Sequence, residues 1–349
     1  MPGLGPVRFK RLLDYFGTAE RAWSANGSEL RDAGLDSRVI ESFLIVRATR
    51  SLDRLCADGE AAGAHVVTWE SHDYPDLLRE IYNPPPVLYV RGTLSDQDDS
   101  AVAVVGTRQC TAYGKQVTER FVTDLVANGL TVVSSLALGI DAVAHRVAVE
   151  QSGRTIAVLG SGVDVAYPAA NARLMERVVE HGAVVSEYPV GSKPEAANFP
   201  ARNRIIAGLA RCTLVVEAAN RSGALITARM ALDMNREVCA VPGNVFSPKS
   251  DGTNTLIQRG EAKLVMNVQD VLAEMNVTVV TQQMAMKELV PLDATETLVL
   301  AYLGAEPTHV DELARLVSLP VREVSGTLLL MELRGMVRSS GGMTFVRTR

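Results

Sequence analysis

The chain has 349 residues, a length typical of two or three domains. Hydrophobic residues make up 47% and charged residues 21%, which excludes a mostly disordered chain, and no apolar run approaches the ~18 residues of a membrane helix. The first residues, MPGLGPVRFK, lack the apolar core of a signal peptide, and the four cysteines are scattered without a CxxC pair. A cytoplasmic protein without a zinc site or disulfide framework is therefore expected.

Charge gives no sign of a basic domain. The formal net charge is −5, with 10 Lys and Arg against 13 Asp and Glu in residues 1–90, 19 against 20 in 91–289, and 6 against 7 in 290–349. Any site for a polyanion must therefore be a local cluster of arginines.

Residues 1–75 are predicted to form a helical domain. An apolar cluster ends at Phe16, and Gly17 after it is typical of a helix C-cap. Helical spacing follows over Glu20–Ala25, Ser37–Ala48 and Ser51–Ala62. Three prolines then interrupt the pattern, before a short strand at Val87–Arg91 and a polar, Asp-rich linker at Gly92–Ser100.

Residues 76–270 are predicted to form a doubly wound α/β domain. Its apolar runs do not alternate, which is typical of strands buried on both faces. Helical patterns separate these runs, as a parallel sheet requires. The predicted strands are Ala101–Val105, Thr131–Val133, Thr155–Leu159, Ala183–Val185, Thr213–Val216 and Glu237–Val241. The predicted helices are Lys115–Asn128, Asp141–Gln151, Asn171–Glu180, Asn203–Ala210 and Leu225–Met234.

The C-terminal part is predicted to be a linker, 271–291, followed by a winged helix, 292–349. Three short helices, Thr295–Leu303, Val310–Val317 and Val321–Arg334, precede a hairpin that turns at Gly341-Gly342. The last helix balances two arginines against two glutamates, so we expect this domain to be an accessory or protein-binding module.

Small and polar residues follow one predicted strand after another. Gly106-Thr107-Arg108, Gly160-Ser161 and Ser222-Gly223 each stand where ligands bind in an open parallel sheet, beyond the carboxyl ends of the strands. Glycine lets a ligand approach the backbone, and helix N-termini offer free N–H groups. One such loop indicates only a tight turn, but several on one edge favour a large anionic ligand.

The segment Phe199-Pro200-Ala201-Arg202-Asn203-Arg204 precedes a predicted helix. It places two cations at the positive end of the helix dipole, which is locally unfavourable and therefore marks an anion site. Phe199 is suited to stack on a nucleobase. The alternatives are that the arginines pair with Glu187 and Glu195, and that Phe199 belongs to the core.

Other chemistries have weaker support. Asp141 and His145 are four residues apart on a predicted helix, but no third ligand or nucleophile accompanies them, so a dipole-bound carboxylate and a hydrogen-bonded histidine are the preferred interpretation. Gly160-x-Gly162 lacks the third glycine of a dinucleotide fingerprint, and no GxxxxGK[ST] loop is present. A nicotinamide cofactor is therefore disfavoured, and we predict no metal site and no catalytic residues.

The motifs of residues 102–265 resemble the DNA-processing protein A (DprA/Smf) family, as does their order. The matching stretches are 103–108 (AVVGTR), 137–141 (ALGID), 144–145 (AH), 155–160 (TIAVLG), 186–189 (SEYP), 199–208 (FPARNRIIAG), 222–228 (SGALITA), 240–243 (AVPG) and 251–254 (DGTN). Pro2-Gly3-Leu4-Gly5-Pro6 resembles the hairpin of a helix-hairpin-helix or SAM-like unit. Since Met1 falls at that hairpin, either the sequence starts late or the unit is incomplete, and an N-terminal DNA contact is not expected.

The resemblance implies an extended Rossmann fold and a homodimer that binds single-stranded DNA. It also implies that the protein helps load the RecA recombinase during natural transformation, without a cofactor and away from membranes. The DNA-binding residues it implies are Arg108, Gly106, Thr107, Gly160, Ser161, Phe199, Arg202, Asn203, Arg204, Ser222 and Gly223, with Lys193 near the position of a lysine found in some members.

Two alternative functions remain at this point. A nucleotide-processing enzyme related to phosphoribohydrolases should carry a Pro-Gly-Gly-x-Gly-Thr-x-x-Glu site, whereas residues 221–228 have the sequence RSGALITA with no following glutamate. A winged-helix transcription regulator should have a basic recognition helix, whereas Val321–Arg334 is neutral.

Overall fold

The computed structural model describes residues 3–275, 294–304, 307–333 and 337–347. Two compact units are formed, Met1–Asn276 and Val277–Arg349. Within the described ranges, no helix is both long and apolar enough to cross a membrane.

The first unit begins with five helices, of which the first four enclose an apolar core of their own. Polar side chains cap four of them: Thr18, Asn26, Asp36 and Ser51 accept hydrogen bonds from first-turn N–H groups. Gly17 ends the first helix at φ 81°, which confirms the predicted glycine cap. The helices are α1 (Pro6–Phe16), α2 (Ala19–Ser24), α3 (Gly27–Asp32), α4 (Ser37–Thr49) and α5 (Leu52–Ala61).

A nine-stranded sheet fills the rest of this unit. Its order is β1-β2-β6-β5-β4-β3-β7-β8-β9, and the pairs from β6 to β9 are parallel. The strands β3 to β7 are buried throughout, which confirms the strands expected from non-alternating apolar runs. The bounds are β1 (His65–Thr68), β2 (Val87–Gly92), β3 (Ala101–Val105), β4 (Thr131–Ser135), β5 (Thr155–Val158), β6 (Gly182–Ser186), β7 (Cys212–Val215), β8 (Glu237–Ala240) and β9 (Lys263–Leu264).

Strand β1 lies within residues assigned above to the helical domain. It pairs antiparallel with β2, and β2 pairs antiparallel with β6, so the sheet begins before residue 76. Only four residues long and with two of them exposed, β1 lacks the apolar run that identified the other strands. At the other end, helix α13 (Val268–Glu274) buries Val268 and Val271, so the packed structure continues past residue 271.

The predicted polar linker at Gly92–Ser100 is wrong in one respect. Residues Asp96–Ser100 form a 3-10 turn in which Asp98 is buried. Arg154 holds that carboxylate through two hydrogen bonds of 2.6 and 2.7 Å, and Thr131 donates a third. The segment is therefore anchored to the sheet rather than solvated.

Helices cover both faces of the sheet. They are α6 (Asp76–Arg79), α7 (Ala112–Ala127), α8 (Ile140–Glu150), α9 (Ala172–His181), α10 (Asn198–Gly208), α11 (Gly223–Asp233), α12 (Asp251–Gln258) and α13. Five of these were predicted, four of them with small boundary differences. The exception is α10, which begins at Asn198, five residues before the predicted start, so Arg202 and Arg204 lie inside the helix rather than at its positive end.

The strand order creates a crevice beside β3. The chain runs from β3 through β4 and β5 to β6 on one side, and then crosses back to β7 on the other side of β3. At such a reversal the connecting loops diverge, which leaves a binding crevice outside the carboxyl ends of the strands.

The second unit is a small winged helix in the part that the structure describes. Helices α14 (Ala294–Tyr302), α15 (Val310–Val317) and α16 (Val321–Leu333) pack around buried Leu313, Leu328 and Met331. Strands β10 (Thr308–His309), β11 (Val337–Gly341) and β12 (Thr344–Arg347) form a sheet in the order β10-β12-β11. The predicted helices and hairpin are confirmed. Most of the predicted linker, 276–291, lies outside the described residues.

Candidate nucleic-acid interface

Two adjoining cavities, of about 100 and 310 Å³, open at the carboxyl edge of the sheet beside β3. They share five lining residues from the β3 loop, the β4 loop and α10. These are Arg108, Ser135, Ala137, Phe199 and Arg202. The convergence of the strand-end loops expected from the sequence is thus present, and we call the two cavities together the central site.

Phe199 lines both cavities. The Arg108 Cζ atom lies 5.9 Å from the centroid of the Phe199 ring, and the Tyr167 ring lies 5.3 Å from it. A Cβ atom at Gly160 would stand 3.2 Å from the ring edge, so glycine allows the ring to seat closely. Because Phe199 is only partly buried, it is not a core residue.

The β3 and β4 loops hold each other through their backbones. The Ile140 N–H donates to the Thr107 carbonyl oxygen, and the Thr107 N–H donates to Glu217 O at 2.7 Å. A Cβ at Gly139, where φ is 81°, would overlap the Thr107 carbonyl. Thr107 therefore connects the loops and lines neither cavity. The expectation that its N–H is free to bind a ligand is wrong, because that N–H donates to Glu217 O.

Arg202 brings a buried positive charge to both cavities. Its Nη1 donates to the Val158 carbonyl oxygen, while its Nε has no hydrogen-bond partner within the described chain. Burial lowers the pKa of Arg202 to about 10, so the guanidinium remains charged at neutral pH. A buried charge of this kind acts through a low effective dielectric and attracts an anion more strongly than an exposed one.

Asp141 stands at the first turn of α8 and lines the larger cavity. Burial raises the pKa of Asp141 to about 6, although a hydrogen bond from Ser135 Oγ, the nearby Arg202 and the Gly106 N–H oppose the shift. His145 instead bonds Thr155 Oγ1 at 2.8 Å, and burial lowers its pKa to about 4. The structure gives no contact between Asp141 and His145 that would make them an acid–base pair.

Arg204 needs a different assignment from the one the sequence suggested. Its guanidinium forms a bidentate ion pair with the Glu187 carboxylate, with N–O distances of 2.6 and 2.7 Å, and its Nε donates to Asn83 O. The side chain is 12% exposed and lines neither cavity of the central site. The alternative of pairing with Glu187 is therefore correct for Arg204, which fastens α10 to the loop after β6.

The remaining predicted residues divide between the cavity walls and the surroundings. Asn203, Ser222 and Gly223 line the larger cavity with Gly106, and the Asn203 amide reaches Gly223 O at 3.4 Å. Ser161 lines the smaller cavity, but its hydroxyl donates inward to Val165 O. Lys193 is exposed in the loop before α10 and lines neither cavity.

Sequence reasoning missed Tyr167, which is 47% exposed and contacts Phe199 from the wall of the smaller cavity. The signal available was its position in the loop after β5, downstream of Gly160. In the described ranges, no three His, Cys, Asp or Glu side chains converge in a way suited to a metal ion.

The chain matches two family models. The model described as "DNA recombination-mediator protein A" matches residues 65–276, and the model described as "DprA winged helix domain" matches residues 284–343. Among curated relatives, Protein Smf of Synechocystis sp. is 36% identical over 99% of this chain and 96% of its own length. The DNA processing protein DprA of Streptococcus pneumoniae is 48% identical over 58% of this chain and 71% of its own.

Solved structures agree with this assignment. DNA processing protein A from Streptococcus pneumoniae superposes with a TM-score of 0.69 and 38% identity, covering 78% of this chain and 94% of that chain. DNA processing protein A from Helicobacter pylori, studied for its single-stranded DNA binding mode, gives 0.55 and 29%, covering 63% and 98%. The chain therefore belongs to the DNA recombination-mediator protein A (DprA/Smf) family.

Proposed function

We propose that this chain binds single-stranded DNA at the central site. The observation that carries the proposal is the stack of the Arg108 guanidinium on the Phe199 ring, at the wall of a crevice that also holds the buried cation Arg202. A cation for the phosphate beside an aromatic face for the base is the combination used by single-strand sites. The binding mode studied in the Helicobacter pylori relative supports the same ligand.

The wider role that we propose is recombination mediation. As a homodimer, the protein protects incoming DNA and helps load the RecA recombinase during natural transformation. Membership of a family named for recombination mediation supports this role.

We expect the protein to bind single-stranded DNA of any base sequence. Arg108 is exposed and has no carboxylate within ion-pair distance in the described chain. The Thr107 and Gly106 N–H groups are already bonded inside the protein, so side-chain cations and stacking supply the affinity. Neither contact recognises a particular base edge.

The experiment that tests the proposal is a fluorescence-anisotropy titration of the full chain with single- and double-stranded oligonucleotides at two salt concentrations. We expect tight, salt-sensitive binding of the single strand and weaker binding of the duplex. Equal affinity for both, or no binding of the single strand, would contradict the proposal.

One observation favours a second candidate, a nucleotide-hydrolysing enzyme. Asp141 lines the larger cavity with a pKa of about 6, which suits a general acid or base. However, its carboxylate already accepts from Ser135 Oγ and the Gly106 N–H. We expect no hydrolysis of nucleoside monophosphates or DNA, with or without magnesium. An activity of the pure protein that disappears in Asp141→Asn would instead support the enzyme.

A further inference from the structure

A second cleft of about 570 Å³ lies between α1 and the segment that leads into β2. Lys10 and Arg11 of α1 line one wall, and Arg79, Tyr82 and Asn83 line the other, with Trp69 between them. We call it the α1 cleft. It shares no lining residue with the central site.

The α1 cleft is positively charged. Three cations line it, Lys10, Arg11 and Arg79, against one carboxylate, Asp14. Lys10 and Arg11 form no ion pair within the described chain, and the carboxylate nearest Arg79, that of Asp76, lies 3.9 Å away and is largely exposed. This local excess of positive charge stands within residues 1–90, which are acidic as a whole, and it suits an anionic ligand.

Aromatic rings accompany these cations. Tyr82 is 95% exposed, so nothing in the described chain packs on its ring. Trp69 contributes a second aromatic surface and is held edge-on by Phe9, with the ring centroids 5.9 Å apart. Trp69 is half-buried, so Tyr82 is the ring that is open to a ligand, and an exposed aromatic ring among cations is the combination to which a base and a phosphate of a single strand bind.

The α1 cleft continues the edge on which the central site lies. Tyr89 of β2 pairs with Ser186 at the carboxyl end of β6, so the residues just before β2 lie at that same edge of the sheet. Helix α10 separates the two sites: Phe199 and Arg202 face the central site, while Arg204 Nε donates to Asn83 O in the α1 cleft at 3.1 Å. A helix is ~10–12 Å across, a distance that a strand of a few nucleotides spans.

We propose that the α1 cleft is a second subsite for the same single strand of DNA, with a base stacked on Tyr82 and a phosphate near Lys10. This subsite rests on the proposed function of the central site. The strand passes over α10 from one site to the other, so a long strand gains contacts that the central site alone does not provide.

The test uses the full-length protein and an oligothymidylate of about 30 nucleotides, well beyond the ~4–16 nucleotides of one single-strand site. Tyr82→Ala should weaken binding about fivefold to 150-fold, the equivalent of ~1–3 kcal/mol for one base stack. The matched control is Tyr15→Ala, which removes an exposed tyrosine of α1 that does not line the α1 cleft. Thermal melting should be unchanged in Tyr82→Ala because the ring is exposed.

A second readout tests the phosphate contact. Lys10→Gln should reduce the slope of log affinity against log salt by ~0.7, the value for one neutralised phosphate of a single strand. The control is Arg38→Gln, which removes an exposed cation of α4 outside the α1 cleft.

Arg108→Gln separates failure of the subsite from failure of the central site. If Arg108→Gln weakens binding while Tyr82→Ala and Lys10→Gln match their controls, the α1 cleft is not a DNA site and the proposal is overturned, while the central site stands. If the wild-type protein binds no single strand, both proposals are overturned. If all three variants weaken binding and the controls do not, the subsite is supported.

Discussion

The Arg108 guanidinium lies over the Phe199 ring, with 5.9 Å between Cζ and the ring centroid. This contact joins the loop after β3 to helix α10, two elements that are distant in the sequence. It also keeps a cation at the mouth of the central site without a competing carboxylate, because a ring face attracts the guanidinium without neutralising it. The contact therefore preserves a charge for a ligand.

Replacing Arg108 should affect DNA binding and little else. Arg108→Gln is expected to weaken single-strand binding and to reduce the salt slope by ~0.7, because one phosphate contact is lost. Salt-dependent anisotropy titrations measure both quantities. Arg21→Gln, which removes an exposed cation of α2, is the control. Unchanged affinity and slope in folded Arg108→Gln would refute the role of Arg108.

Phe199 should act through its ring face. Phe199→Leu keeps an apolar side chain but removes the aromatic surface, and should cost ~1–3 kcal/mol of single-strand binding. Phe199→Tyr keeps the ring and should bind nearly as well as the wild type. If both variants bind alike, or if both lose thermal stability while affinity per folded molecule is kept, Phe199 serves packing and not stacking.

Arg204 should behave in the opposite way to Arg108. Its ion pair with Glu187 is shielded from solvent, with side-chain exposures of 12% and 17%. Arg204→Gln leaves that carboxylate without its two charged hydrogen bonds, and is expected to cost about 2–3 kcal/mol of stability. Denaturant unfolding measures the loss. The salt slope of DNA binding should stay at the wild-type value; a slope reduced as in Arg108→Gln would return Arg204 to the DNA contacts.

Arg108 and Arg202 were placed correctly from the sequence, whereas Arg204 was not. Strands β3 to β7 were predictable because both of their faces are buried, which leaves apolar runs in the sequence. Convergence of Arg108 and Arg202 followed from parallel strands ending at one edge. The pairing of Arg204 with Glu187 depends on tertiary placement alone. The early start of α10 was hidden by Pro200, which a helix tolerates in its first turn because that N–H needs no helical partner.

The backbone N–H groups of the strand-end loops illustrate a second limit of prediction from the sequence. Sequence placed glycines and small residues at the strand ends and therefore predicted free donors for an anion. In the structure, the Thr107 N–H bonds Glu217 O and the Ala137 N–H bonds Ser135 Oγ. When loops pack on one another, their N–H groups form hydrogen bonds between the loops and are no longer available to a ligand. The sequence does not show these hydrogen bonds, because they depend on how the loops pack in the folded protein.

Asp141 and His145 should oppose each other in the pH dependence of stability. The Asp141 pKa rises from 3.8 to about 6 on folding, so its contribution is fully present below 3.8 and is lost as pH rises to about 6. The His145 pKa falls from 6.5 to about 4, so its contribution is fully present above 6.5 and is lost as pH falls to about 4. Between pH values of about 4 and about 6, the two groups therefore change the free energy of unfolding in opposite directions.

Asp141→Asn should expose the contribution of His145. Without the titrating carboxyl group, stability should fall more steeply than in the wild type as pH is lowered from about 6.5 to about 4, by up to ~1.4 kcal/mol per pH unit. Denaturant unfolding at several pH values measures the slope. Ser135→Ala, which removes the hydroxyl donor to Asp141 but keeps the carboxyl group, should retain the shallower profile. Parallel profiles for Asp141→Asn and wild type would contradict the assignment.

The winged helix should contribute little to single-strand affinity. The described part of α16 carries one arginine, Arg322, and two glutamates, Glu323 and Glu332, so this helix lacks the clustered cations that phosphate binding needs. The same helix exposes Leu329 and Leu330, at 59% and 54%, a surface better suited to a protein partner.

A chain shortened to residues 1–276, the first compact unit, tests this expectation. Its affinity for single-stranded oligonucleotide should stay within about threefold of the full chain in the same buffer, because both the central site and the α1 cleft lie in the retained unit. Leu329→Ser/Leu330→Ser in the full chain is the matched variant and should leave DNA affinity unchanged, since neither side chain carries charge. A loss of about 100-fold or more in the shortened chain, with the sheet still folded by circular dichroism, would make the winged helix a principal DNA-binding element, since such a loss is as large as that of a strong base stack.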